Sequence, residues 1–167
     1  MQVANKHGNG IYTQKYRYSL MAEFQTDVHK PLYTIGVVAD LLHVSVPTLR
    51  KYEDANFILP FRTESNHRRY SQKDVEILTC VRRMIDDFGV SMKGLGRLLA
   101  LIPCWAIKDC SPKNRANCDA YYDTTVPCWA VQTKQGACEE DNCRLCPVYD
   151  KASQISNLKE MLKSYVV

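Results

Sequence analysis

Seven of the eight cysteines lie between Cys104 and Cys146, so this stretch holds the residues best suited to chemistry. Thiolates held close together need a cation, because unpaired thiolates repel one another and free thiols oxidise. The stretch therefore predicts a bound metal or cluster, with ligands drawn from Cys104, Cys110, Cys118, Cys128, Cys138, Cys143 and Cys146. The remaining cysteine, Cys80, is far from the others in sequence and is expected to be an ordinary half-buried residue.

These cysteines belong to two degenerate copies of one sequence unit. The segment Ile102-Pro-Cys-Trp-Ala-Ile107 recurs as Val126-Pro-Cys-Trp-Ala-Val131. In the same order, Cys118-Asp-Ala-Tyr121 recurs as Cys146-Pro-Val-Tyr149. The first copy supplies three thiols and the second supplies four, with Cys143 as the extra one. Such a repeat is hard to explain as random cysteine usage, and it predicts two copies of one structural unit.

The spacing leaves the bound species open. Cys143 and Cys146 are two residues apart, a ligand pair common to zinc sites and iron–sulfur clusters, but the wider spacings match neither a zinc ribbon nor the ferredoxin run. Trp105 and Trp129 beside the ligands favour a cluster in an apolar shell, although both can equally be core residues. We expect an iron–sulfur cluster, for example of the 4Fe–4S type, with zinc as the main alternative. Thiol redox chemistry and haem at Cys146 are lesser alternatives.

Composition sets the broad class of protein. The 167 residues allow one medium domain or two small ones, and a net charge of +4 excludes a tail that coats nucleic acid by charge alone. No segment reads as a signal peptide or a membrane span, so we expect a cytoplasmic protein with no membrane partner. Cytosolic cysteines favour metal binding over disulfides. A thiol oxidoreductase is disfavoured because no thioredoxin-like pattern surrounds Cys143, so no enzyme is predicted.

A helix-turn-helix is predicted upstream of the cysteines. The first helix runs from Ile35 to Leu42 behind the N-cap Thr34, and Ser45 caps a second helix that has Pro47 in its first turn. Leu49 and Tyr52 of this second helix can face a core. Outward-facing Thr48, Arg50 and Lys51 suit contacts to DNA bases, although a solvated basic face is an equal alternative for this helix alone.

The segment after the second helix favours DNA binding. Residues 57–60 and 68–70 are expected to form a hairpin around a loop in which Asn66 adopts the left-handed conformation. Three arginines, Arg62, Arg68 and Arg69, converge on this hairpin, where they suit phosphate oxygens. Beyond it, Ser71 and Asp74 predict a capping box for a third helix with an apolar face, and Ser91 caps a fourth helix that ends before Pro103. The apolar face of the third helix comprises Ile77, Leu78, Val81, Met84, Ile85 and Phe88.

The run TLRKYEDANFILPFRTESNHRRYSQKDVEIL resembles the MerR family of bacterial transcription regulators, and the later FGVSMKGLGRLLAL is most similar to its HspR-like branch. The resemblance covers residues 32–102 and implies a winged helix-turn-helix. It implies that Arg50 and Tyr52 contact bases or phosphates and that Arg62, Arg68 and Tyr70 contact DNA from the wing. The predicted DNA-binding set is Thr48, Arg50, Lys51, Tyr52, Arg62, Arg68, Arg69 and Tyr70.

The family also implies partners and a bacterial, nucleoid-associated protein. Its members bind double-stranded DNA as homodimers, and many twist a promoter into register for RNA polymerase, whereas HspR-like members repress. Residues 104–149 resemble a cysteine-rich two-CW module that is attached to bacterial signalling proteins, which implies a sensor. The SoxR branch is a precedent for an iron–sulfur redox switch, although its compact cysteine cluster is absent from this chain.

The expected fold is therefore mainly α, with four segments. A flexible arm at 1–31 precedes the winged helix-turn-helix at 32–102, which is followed by a cysteine-rich sensor module at 103–149 and a C-terminal helix at 150–167. The last segment carries Ile155, Leu158, Leu162 and Tyr165 at heptad spacing. Two heptads are too few to be stable alone, so this helix either pairs with a second subunit or packs on the module as core.

Overall fold

The computed structural model describes residues 27–139 and 142–165, and this part of the chain is mainly helical, as predicted. In chain order the elements are α1 (Ile35–Leu41), α2 (Val46–Asp54), β1 (Phe61–Arg62), β2 (Arg68–Arg69), α3 (Gln72–Asp86), α4 (Met92–Ala100), α5 (Cys104–Ile107), α6 (Pro112–Ala116), α7 (Asp119–Tyr122), α8 (Pro147–Asp150) and α9 (Leu158–Lys163). Short 3₁₀ segments span Cys128–Ala130, Gly136–Cys138, Cys143–Leu145 and Lys151–Asn157. Within the described ranges, every helix is too short or too polar to cross a bilayer.

The helix-turn-helix forms where its caps predict it. The hydroxyl of Thr34 accepts a hydrogen bond from the Val37 amide at 3.4 Å, and that of Ser45 accepts one from the Thr48 amide at 3.2 Å. These bonds satisfy amides that have no partner within the first turn of each helix. Helix α2 begins directly after its predicted cap Ser45, with Pro47 in its first turn, and its buried side chains are Leu49 and Tyr52.

The wing is a two-stranded antiparallel sheet in which Phe61 pairs with Arg69 and Arg62 pairs with Arg68. The predicted first strand at residues 57–60 is wrong: Phe57 and Ile58 are 0% and 1% exposed and belong to the core. An extended segment that enters the core cannot also lie on a solvent-exposed wing, so the strand begins after Pro60. The loop residue Asn66 has a φ of 61°, the left-handed conformation that the sequence predicts.

Helix α3 carries the predicted capping box. The Ser71 hydroxyl accepts from the Asp74 amide at 3.1 Å, and the Asp74 carboxylate accepts from the Ser71 amide at 2.7 Å. The predicted apolar face is buried at Ile77, Leu78, Val81 and Met84. Phe88 differs from the prediction, since it is 54% exposed. It follows the end of α3, where the chain turns through Gly89 at a φ of 65°, so its side chain leaves the helical face.

The C-terminal segment folds back onto the same chain. The predicted single helix is wrong, because Lys151–Asn157 is a 3₁₀ helix and only Leu158–Lys163 is α-helical. Ala152 and Ile155 are buried and the 3₁₀ segment packs against α3. These residues therefore serve as core within the chain, but mainly against α3 and not on the cysteine module as expected.

One hydrophobic cluster joins the two halves of the chain. It includes Leu49 and Ile77 of the N-terminal half as well as Trp129, Tyr149 and Ile155 of the C-terminal half. Most of the predicted N-terminal arm lies outside the described residues. Its last part, residues 27–31, contacts the start of α3, where the Val28 carbonyl accepts a hydrogen bond from the Lys73 amide at 2.9 Å.

Candidate cysteine centre and nucleic-acid interface

All seven clustered cysteines line one cavity of about 40 Å³. The cavity walls also include Trp105, Trp129 and Tyr149, so its lining consists largely of thiols and aromatic rings. Such a volume exceeds the space of a single water. Cys80 lies elsewhere, within α3 as the sequence predicts, but at 8% exposed it is buried and not half-buried. The type of donor, a set of thiols, suits a thiophilic metal or cluster. As the described residues are arranged, no three His, Cys, Asp or Glu side chains form a group that could hold one metal ion.

The repeat in the sequence is a repeat in the structure. Each copy begins with a Pro-Cys-Trp helical turn, at Cys104–Ile107 in the first copy and at Cys128–Ala130 in the second. Each copy ends with a cysteine that caps a one-turn helix, Asp119–Tyr122 or Pro147–Asp150. Short helices of this kind have little stability alone, so the cavity depends on packing between the copies.

One aromatic pair packs within each copy. Trp105 packs edge-on against Tyr121 with ring centroids 5.4 Å apart, and Trp129 packs in the same way against Tyr149 at 5.2 Å. The copies are also interleaved, since α5 of the first copy contacts α8 of the second, and α7 contacts the turn at Cys128–Ala130. Edge-to-face packing of this kind stabilises a pair beyond the area that it buries.

Two thiols from different copies meet inside the cavity. A hydrogen bond joins the Cys104 and Cys128 thiols and is the main cause that lowers the pKa of Cys104. The same bond, followed by burial, raises the pKa of Cys128. Lys134 donates from Nζ to the Cys143 sulfur at 3.1 Å, which places a positive charge beside the thiols. The cavity thus brings sulfur atoms from both copies and a cation together.

Three of the basic residues predicted to contact DNA line one groove of the helix-turn-helix. Arg50, Arg68 and Arg69 line an open groove of about 400 Å³, which is also bordered by Thr34, Ile35, Asn66 and His67. Lys51 and Arg62 are exposed, and Thr48 is half-buried. Guanidinium groups from α2, the predicted recognition helix, and from the wing therefore share one surface, an arrangement that suits a base and its neighbouring phosphates.

Two tyrosines of the predicted DNA-binding set are buried. Tyr70 is 0% exposed and Tyr52 is 5% exposed, so the expected contacts of these phenols with DNA do not fit the structure. The Tyr70 hydroxyl donates to the Glu53 carboxylate, which also accepts from Arg68 Nε at 2.5 Å. Burial and then the bond to Glu53 raise the pKa of Tyr70. Tyr70 and Glu53 thus tie the recognition helix to the second strand of the wing and orient Arg68.

The second cysteine copy contacts the helix-turn-helix half through Tyr149. Its hydroxyl donates to Asp74 Oδ1 at 2.7 Å and accepts from the Leu59 amide at 3.0 Å. Arg144 Nη2 donates to the other oxygen of Asp74 at 3.2 Å. Asp74 is 0% exposed, so its carboxylate needs hydrogen-bond donors from the protein. The start of α3, Tyr149 and Arg144 together supply these donors.

A second contact reaches the turn after the recognition helix. Trp129 Nε1 donates to the Asn56 carbonyl at 2.8 Å, and Asn56 has a φ of 59° in that turn. The Arg144 guanidinium lies 5.6 Å from the ring centroid of Phe61 in β1. Sequence reasoning missed the contacts at Asn56, Leu59, Asp74 and Arg144. The one available signal was that Trp129 and Tyr149 belong to the repeat.

Comparisons with known proteins agree with this geometry. Residues 33–102 match the family model described as MerR HTH family regulatory protein. The chain is 37% identical over 71 residues to a Streptomyces coelicolor protein provisionally named heat shock protein HspR, a match covering 42% of this chain and 47% of that protein. The same identity and length hold for the transcriptional regulator GlnR of Bacillus anthracis, with 42% and 54% covered. The mercuric resistance operon regulatory protein of Bacillus cereus is 32% identical over 95 residues, covering 56% and 64%.

The extent of these matches is limited. The chain spans about half the length of the HspR and GlnR relatives, and no solved structure matches it significantly. The family model ends at residue 102, so the cysteine-rich half lies beyond it. Within the matched region, the helix-turn-helix, the wing and α3 and α4 follow in the order that the resemblance implies. Residues 33–102 are therefore a helix-turn-helix domain of the MerR family.

Proposed function

We propose that this protein is a sequence-specific DNA-binding transcription regulator whose activity is controlled by an iron–sulfur cluster in the cysteine-lined cavity. The observation that carries the proposal is that seven thiols line one cavity whose wall residues Trp129 and Tyr149 also bond the DNA-binding domain. A change in the cavity therefore has a direct structural route to the DNA-binding surface.

The DNA-binding part of the proposal rests on the shared basic surface. Arg50 lies in the same groove as Arg68 and Arg69, so contacts with a base edge and with phosphates can form together. A single winged helix reads few base pairs, which favours a homodimer on a near-palindromic double-stranded site. Loss or oxidation of the cluster would shift the relative orientation of the two wings and so favour one of two DNA geometries, with RNA polymerase as the downstream partner. A cytoplasmic location fits this role.

The cluster part of the proposal rests on the donor set and the cavity wall. Four ligands can be chosen from the seven cysteines, and an apolar aromatic wall excludes water from them. A bound cluster would supply one-electron redox chemistry and sensitivity to oxidants. The residues of the chain provide the thiolates, the positive charge of Lys134 and the contacts that hold the cavity against the wing.

Zinc is the second candidate for this cavity. One relative is named a mercuric resistance operon regulatory protein, which favours a metal-responsive site without redox chemistry. A purely structural zinc module, as in an architectural or excision factor, would need the metal for folding but not for regulation. Chelation would then unfold the C-terminal half without a separate effect on transcription.

Anaerobic purification distinguishes these candidates. We expect brown protein with iron, acid-labile sulfide and sulfur-to-iron charge-transfer absorbance, and we expect its affinity for an operator selected from random DNA to change when a chelator removes the metal. Stoichiometric zinc without iron would overturn the redox proposal. Equal operator affinity in both states of a folded protein would overturn control by the cofactor.

Replacing Arg50 with alanine tests the base contact. If its guanidinium forms two hydrogen bonds to a base, we expect Arg50→Ala to lower specific operator affinity by about 1 to 3 kcal/mol. The loss should be largest at one base-pair position, because the other contacts to the site remain. Competition binding with single-base operator variants measures both the loss and its position.

Arg83→Ala is the matched control for this test. Arg83 lies in the last turn of α3, pairs with Asp87 at 3.9 Å, and carries the same charge as Arg50. Both variants lose one positive charge, so any general electrostatic effect on DNA binding is shared. If the two variants lose the same affinity, or if Arg50→Ala keeps wild-type affinity, Arg50 does not read a base.

A further inference from the structure

We infer that Tyr149 and Trp129 are positioning residues that transmit the occupancy of the cysteine cavity to the wing. The inference rests on the proposed function and specifies the route of regulation. Tyr149 follows Cys146 by three residues, and Trp129 directly follows Cys128. Both cysteines line the cavity. Ligation of either sulfur would therefore shift the backbone next to Trp129 or Tyr149, each of which also bonds the DNA-binding domain.

The short elements that carry these residues make the coupling tight. Cys146 caps the single turn of α8, in which Tyr149 lies, and Cys128 begins the 3₁₀ turn that contains Trp129. The two rings contact each other edge-on at 5.2 Å. Each cysteine lies within three residues of its ring and the rings touch, so we expect a displacement of either cysteine to reach both rings.

The groups bonded to these rings lie between the recognition helix and the wing. Trp129 holds the carbonyl of Asn56, and Tyr149 holds the amide of Leu59. Residues 56–59 connect the end of α2 to β1, so the two bonds determine how the wing leaves the recognition helix. After the wing in sequence, Tyr149 bonds Asp74, which belongs to the capping box of α3. Tyr149 therefore contacts the chain before the wing and after it.

The first cysteine copy provides an internal comparison. Tyr121 packs on Trp105 in the same edge-on manner as Tyr149 packs on Trp129. The other ring contacts of Tyr121 are with Tyr122 and with Arg115, whose guanidinium lies 5.9 Å from the Tyr121 centroid. These residues all belong to the cysteine module. The route to the wing therefore runs through the second copy, and Tyr121 is its matched control.

The test uses the full chain in two states, reconstituted anaerobically with ferrous iron and sulfide, or stripped of metal by a chelator. Wild type, Tyr149→Phe, Trp129→Phe and Tyr121→Phe are compared for iron content, visible spectrum and thermal unfolding. Two readouts follow for each protein: the ratio of operator dissociation constants between the two states, and the change in hydrogen–deuterium exchange of peptides covering residues 56–70.

Wild type is expected to show a ratio on the order of 5- to 150-fold, the usual range of coupling between two sites. Tyr149→Phe and Trp129→Phe should keep the iron content and spectrum of wild type, because neither change removes a thiol. Their operator ratio should fall towards one, and the exchange of residues 56–70 should no longer respond to iron. Tyr121→Phe should retain both responses.

Different failures point to different errors. If folded Tyr149→Phe and Trp129→Phe keep the wild-type ratio and exchange response, the inferred route is overturned. If Tyr149→Phe does not fold, Trp129→Phe alone decides in the same way. If wild type has a ratio of one while its exchange response is lost in Tyr149→Phe, cofactor control of DNA binding is overturned and the structural coupling is supported.

Discussion

Cys146→Ser is expected to purify without its iron, with metal content reduced more than about tenfold. Outer contacts of a metal ligand already contribute factors of about 10 to 100 to affinity, so removal of a ligand should cost at least as much. Cys146 is buried, caps α8 and shares the two-residue ligand spacing with Cys143. Serine keeps the size of the side chain but replaces the soft sulfur donor with a hydroxyl. Iron and acid-labile sulfide per chain measure the effect.

Cys80→Ser is the control for this substitution. Cys80 and Cys146 are each 8% exposed, so the two variants bury the same new hydroxyl to the same extent. Cys80 lies within α3 and away from the cavity, so its variant should keep the iron of wild type. Full iron content in Cys146→Ser would contradict a ligand role for this cysteine. An equal loss in both variants would indicate general unfolding.

Asp74→Ala is expected to destabilise the protein by about 3 to 5 kcal/mol, the range found when one partner of a buried ion pair is removed. Asp74 is fully buried and accepts hydrogen bonds from Ser71, Arg144 and Tyr149. Its loss leaves Arg144 without its carboxylate and removes half of the capping box of α3. Denaturant unfolding followed by circular dichroism measures the free energy change.

Glu76→Ala, two residues further along α3, separates this effect from the loss of any carboxylate. Glu76 pairs with Lys73 at 2.6 Å, but its side chain is 41% exposed, so its removal should cost less than about 1 kcal/mol. Asp74→Asn keeps one acceptor oxygen and should fall between the two. A cost below about 1 kcal/mol for Asp74→Ala would mean that the contacts of this carboxylate do not hold the two halves together.

The structure also separates two roles that the sequence resemblance combines. Arg50, Arg62 and Arg69 remain suited to DNA contact, because their side chains lie on the exposed recognition helix and wing. Tyr52 and Tyr70 are interior, and Tyr70 donates to Glu53. A tyrosine at a position that a family implies for DNA contact can therefore act by orienting a neighbouring arginine, here Arg68 through their shared carboxylate.

Local features of the fold were determined by the sequence. The caps at Thr34, Ser45 and Ser71, the left-handed Asn66 and the repeated Cys-Trp turns all depend on residues within a few positions of one another. A cap bonds an amide only three residues away, so its partner can be identified from spacing alone. The clustering of the thiols was likewise predictable, because two copies of one unit supply them.

The placement of that cluster against the wing was decided by tertiary structure alone. Tyr149 and Asp74 are 75 residues apart, and Trp129 and Asn56 are 73 apart. Asp74 already has a complete local role as a helix cap, so nothing in its neighbourhood indicates a second partner. The same holds for Ile155, whose heptad spacing suits a partner subunit as well as its observed packing near α3. The local sequence indicates which groups need a partner, whereas the packing of distant segments determines which residues become those partners.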